Sequence, residues 1–102
     1  METGHQYAVS NDTFASQLRQ VRIRINAKQF WLAREIGCSD AAISLWENGS
    51  RLPRQNTMRR VFQALERVGA EPNELVSLLV AWRSSVDKRT LGVVLHRPAL
   101  DQ

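Results

Sequence analysis

Cysteine is almost missing from this chain. Cys38 is the single one, so no internal disulfide can form, and a reducing compartment, the cytoplasm, is expected. Histidine is nearly as scarce. His5 and His96 lie near opposite ends and belong to no cluster with metal-ligand spacing, so neither a metal site nor a cofactor is expected. Cys38 has no neighbouring histidine and reads as an ordinary turn or core residue. Glycine-rich phosphate loops, internal repeats and low-complexity tracts are also lacking. No apolar run approaches the ~18 residues needed to span a membrane. The opening METGHQYAVSND has no basic start and no apolar stretch, so no secretory signal is read there. These absences argue against an enzyme and against a membrane-spanning chain.

What is present is a short, basic sequence. With 102 residues, 43% of them hydrophobic, one domain with a tail is expected. A core of this size is marginal, and dimerisation would help stabilise it. The formal net charge is +4, and it is unevenly spread. From Arg19 to Arg60 there are nine basic residues against three acidic ones, Glu35, Asp40 and Glu47. That leaves +6 in this part and −2 in the rest. Positive charge so concentrated suits a polyanionic partner, although a charge excess alone is also what a solvated surface looks like.

Residues 1–11 are polar, without a period, and read as a flexible arm. Asp12 or Thr13 can cap a first helix running to about Ile25, with Phe14, Leu18, Val21 and Ile25 in one stripe. Asn26-Ala27-Lys28 is a short connection. A second helix spans Gln29 to about Ile36 and puts Leu32, Ala33 and Ile36 on one face. Gly37 stands where that helix must stop, because glycine takes positive φ without a Cβ penalty. Ser39 is a good N-cap for a third helix, about Asp40 to Glu47, which turns Ala42, Ile43 and Trp46 to one side. Asn48-Gly49 closes it, and a polar, basic loop follows to Arg54. Asn56 can cap a fourth helix with Met58, Val61, Phe62 and Leu65 inward, ended by Gly69. Pro72 suits the first position of a fifth, where a missing N–H does no harm. Leu75, Leu78, Leu79 and Trp82 form its apolar face, with Val80 beside them. The domain is thus expected over residues 12–88, with 89–102 as a tail. Leu91 to His96 has β character and Pro98 interrupts it. Such a strand could pair across a dimer, fold back on its own subunit, or fray.

Two short helices joined by a tight turn cannot bury much alone and need others behind them. The order Gln29, Leu32-Ala33, Gly37, Ser39, Ile43-Ser44, Trp46-Glu47-Asn48-Gly49 resembles the helix-turn-helix of the lambda-repressor-like (Cro/repressor or XRE type) family, over roughly residues 14–80. The combination is specific although no single residue is. The resemblance implies an all-α fold, a five-helix domain; the family fold does not include the β-like tail. It also implies an ion pair between Arg22 and Glu47. Phe30 and Trp31 depart from the family pattern. They could pack on the arm, on a partner, or simply add to the core.

The family's function sets the expected site. Its third helix enters the major groove of double-stranded DNA N-terminus first, with the second across the backbone. The matching base-reading positions are Asp40, Ala41, Ser44 and Leu45. Asp40 could accept from a cytosine amino group or only favour the positive helix end. Ser39 caps and could touch a phosphate or a base edge. Gln29 matches the family's phosphate contact; Asn48, Ser50, Arg51 and Arg54 are loop candidates, with Arg19 and Lys28 behind them. Leu79, Trp82, Val93 and Leu95 are candidates for a homodimer surface, unless that face closes the monomer core. The expected function is a sequence-specific transcriptional regulator, a bacterial or phage repressor on a palindromic operator. Two alternatives stay open: an antitoxin that also represses its own operon and binds a toxin, and a protein-interaction module that kept the fold but not the DNA contacts.

Overall fold

The computed structural model describes the backbone of residues 13–101 and the side chains of residues 13–88. The expected arm, Asp12 and the side chains of Val93 and Leu95 lie outside the described residues. Five helices follow one another: α1 (Phe14–Arg24), α2 (Gln29–Ile36), α3 (Asp40–Glu47), α4 (Gln55–Arg67) and α5 (Pro72–Asp101).

Local chemistry sets most of the boundaries. Thr13 caps α1, its hydroxyl accepting from the Ser16 N–H at 3.0 Å. Gly37 ends α2 at φ +89°, and its N–H donates to the Ala33 carbonyl at 2.8 Å. A side chain there would meet the steric penalty of the left-handed region. Ser39 caps α3 by accepting from the Ala42 N–H at 3.1 Å. Pro72 opens α5, and the Glu74 carboxylate reaches back to accept from the Glu71 N–H at 2.8 Å, the reciprocal half of a capping box. Arg24 holds the same carboxylate through two N–H groups and also donates to the Gly69 carbonyl at 3.0 Å. One arginine therefore ties the end of α1 to both the exit of α4 and the entry of α5.

The core lies between the helices. Phe14, Leu18, Leu32, Ile36, Ile43, Val61, Leu65 and Leu78 are all but inaccessible. Each such side chain is worth ~1.5–3 kcal/mol of transfer from water. α1 packs on α3 and α5, α2 on α3 and α4, and α4 on α5. α3 is therefore backed by two helices through Ile43 and Trp46, while Asp40, Ala41 and Ser44 on its other side are exposed.

One expectation, the start of the fourth helix, needs correction. α4 begins at Gln55 with Arg54 at the cap position and no side-chain capping bond. Asn56 therefore falls inside the helix and caps nothing. The buried face of α5 is Leu78, Ala81 and Trp82, while Leu79 is 43% exposed. Leu78, Ala81 and Trp82 stand three and four residues apart and share one side of the helix, with Leu79 at its margin. α5 runs on to Asp101, and the described residues contain no strand.

Candidate nucleic-acid interface

α3 and its flanks build a polar surface over an apolar base. Ile43 and Trp46 are buried, while Ser39, Asp40, Ala41 and Ser44 are exposed and Leu45 is half-buried. Positions 40, 44 and 48 recur every four residues and 41 lies three before 44, so Asp40, Ala41, Ser44 and Asn48 fall on one side. Three of the four residues expected to read bases thus stand open to a partner, and Leu45 does so in part.

The rear of this helix is clamped. Arg22 on α1 grips Glu47 with Nε at 2.6 Å and Nη2 at 3.0 Å, while its Nη1 donates to the Ala27 carbonyl at 3.0 Å. The pair is mostly enclosed, with side-chain exposures of 14% for Arg22 and 6% for Glu47. A two-pronged contact of this kind fixes orientation as well as distance. Gln29, at the start of α2, donates from Nε2 to Glu47 at 3.1 Å and accepts from the Ser44 hydroxyl at 3.0 Å. Arg22, Glu47, Gln29 and Ser44 line one open depression together with Arg19 and Asn48. Gln29 is thus bonded to two residues of α3, an arrangement that motif spacing alone does not contain.

The loop after α3 is ordered by its own hydrogen bonds. The Leu45 carbonyl accepts from the N–H groups of Ser50 at 3.0 Å and Arg51 at 3.2 Å. Asn48 Oδ1 also accepts from the Ser50 N–H at 2.9 Å. Among the described residues its amide NH2 makes no hydrogen bond. Farther on, the buried Trp82 indole N–H donates to the Pro53 carbonyl at 2.8 Å, so α5 pins the loop between Arg51 and Arg54. Both arginines are exposed, and among the described residues neither they nor Arg19 and Lys28 form an ion pair. Trp82 itself is 8% exposed and serves the monomer's interior, whereas Leu79 lies open.

Beside the turn sits Arg60, which motif reading did not single out. Its Nη1 would lie 3.7 Å from a Cβ built on Gly37. Burial pushes the Cys38 thiol up from its ordinary range, against the opposing pull of Arg60. The thiol is therefore held protonated at neutral pH, as suits an inert turn residue. Among the described residues no group of His, Cys, Asp or Glu could hold a metal ion, and no helix is long and apolar enough to cross a membrane.

Residues 13–75 match the family of helix-turn-helix domains. The chain belongs to that family. The matched span runs from the α1 cap through the motif and stops just inside α5. It contains every residue that carried the lambda-repressor-like resemblance from Gln29 to Gly49, and the Arg22–Glu47 pair implied by that resemblance is present. Neither a curated protein nor a solved structure gives a significant match. Membership of a helix-turn-helix family points to a DNA-binding regulator.

Proposed function

We propose that this protein is a sequence-specific transcriptional repressor that binds a palindromic operator as a homodimer. The observation that carries the reading is the exposed leading end of α3, clamped from behind by Arg22 and Glu47 and flanked by cations that form no ion pair among the described residues. Asp40, Ala41, Ser44 and Leu45 read base edges. Gln29, Ser39, Asn48, Ser50, Arg51 and Arg54 hold the phosphates, which positions the helix without reading sequence. Two copies place their α3 helices about one helical turn of DNA apart, ~34 Å. Leu79, with Val76 and Val80 beside it, offers apolar surface on α5 for the second copy; Trp82 lends it a rigid backing. Mobility shift with genomic fragments at low salt, followed by footprinting upstream of the protein's own gene, tests this. A protected palindrome is the expected result, and no shift at low salt would overturn it.

One observation favours the interaction module. Phe30 is 51% exposed beside a cleft lined by Ile25, Ala27, Trp31 and Val68. A protein that keeps the fold but docks a polypeptide through Phe30 would give no shift with any DNA fragment.

A further inference from the structure

The polar contacts behind α3 run in one direction. The Glu47 carboxylate accepts from Arg22 Nε at 2.6 Å, Arg22 Nη2 at 3.0 Å and Gln29 Nε2 at 3.1 Å. A carboxylate paired with a guanidinium has only acceptors to offer. Gln29 must therefore turn its NH2 group toward Glu47, which places its Oε1 on the far side. That oxygen lies 3.0 Å from the Ser44 hydroxyl. An amide oxygen cannot donate, so Ser44 gives its only proton to Gln29, and lone pairs are what remain on its oxygen. Asp40, one turn earlier on the same exposed face, carries a carboxylate and is an acceptor as well.

We infer that Gln29 sets the base preference of Ser44: held as an acceptor, Ser44 selects a base that presents an exocyclic amino group in the major groove. The amino groups there are adenine N6 and cytosine N4, whereas guanine and thymine offer keto oxygens in the corresponding places. Opposite a keto oxygen the Ser44 lone pairs would be repelled, and reorienting the hydroxyl would leave Gln29 Oε1 without its donor. Gln29 thus acts through Ser44 as a positioning residue, beyond any phosphate contact made by its second N–H. This inference rests on the DNA-reading role proposed for α3.

The test is selection of binding sites from a randomised duplex library by the full chain, its Ser44→Ala variant and its Gln29→Leu variant. Ser44→Ala identifies the base position that Ser44 governs, because only there does the preference vanish. At that position the unaltered protein should favour adenine or cytosine over guanine or thymine about fivefold on the contacted strand, the value of one hydrogen bond. Gln29→Leu frees the hydroxyl and should bring that ratio close to one. A purely structural or phosphate-holding Gln29 would instead lower affinity evenly and leave the ratio unchanged, which overturns the inference. So does a preference for guanine or thymine in the unaltered protein, a result that needs no Gln29 variant to be folded. If no duplex is enriched at all, the DNA-reading role fails and takes the inference with it.

Discussion

Removing one member of the Arg22–Glu47 pair should cost this domain a large part of its stability, and removing both should cost far less. Glu47→Leu deprives three N–H groups of their acceptor, two on Arg22 and one on Gln29. The guanidinium left behind is only 14% exposed, so water cannot fully replace the carboxylate. Breaking a buried pair costs ~3–5 kcal/mol, and the residual access to solvent brings the expectation here to about 2–4 kcal/mol. A domain of this size has only ~5–15 kcal/mol in all. At ~4–8 °C per kcal/mol, Tm should fall by at least about 8 °C. Arg22→Met, which strands Glu47, should do the same. The double variant leaves no unpaired charge and should sit within about 1 kcal/mol of the parent. Urea denaturation of all four proteins gives the interaction energy from the cycle, expected at ~2 kcal/mol or more. If each single change costs under ~0.5 kcal/mol and the two simply add, the pair is a solvated surface contact and does not hold α3 in place.

Arg51→Ala should weaken binding to all DNA sequences about equally and flatten the salt slope by ~1, measured by titration over a range of salt; a loss confined to one base position would contradict a phosphate role. Trp82→Phe keeps most of the ring but leaves the buried Pro53 carbonyl without its donor. It should cost ~1–3 kcal/mol in urea denaturation, and an unchanged midpoint would mean that water serves that carbonyl equally well. The Arg24 hydrogen bond holds the Glu74 carboxyl below its ordinary value of 4.5. A depressed folded-state pKa stabilises above the unfolded value and is lost as pH falls through the folded one. Stability should therefore decline as the protein is acidified below about 4.5, and Glu74→Gln should flatten that part of the profile. An identical acid limb in the variant would refute the assignment.

Much of the helical framework was legible because caps and stops are local. Thr13, Gly37, Ser39 and Pro72 each act through their own backbone or nearest N–H groups, and each helix end they mark stands within a residue or so of where it was expected. Asn56 misled because a good capping side chain says only that a helix can start there. α4 begins instead at Gln55, two residues after buried Pro53, whose carbonyl accepts from the Trp82 indole. A run of apolar residues does not say which of them a neighbour covers, and Leu79, a dimer-surface candidate, is the one left exposed beside buried Leu78. The short apolar run at Leu91–His96 is ambiguous between strand and helix by pattern alone. Of the site, the positions proposed to read bases came from the family resemblance, and the structure leaves Asp40, Ala41 and Ser44 exposed on α3. The bonds of Gln29 to Ser44 and Glu47 did not come from it, since they join residues that only the crossing of α2 and α3 brings together.

The indole that pins Pro53 has a further consequence. Trp82 belongs to the same helix as the open apolar ridge of Val76, Leu79 and Val80, yet its N–H ends on the segment bearing Arg51 and Arg54. If a second copy seats on the ridge and the two arginines hold phosphates, as proposed, this bond joins the two contacts, and each would alter the other's strength by the same factor.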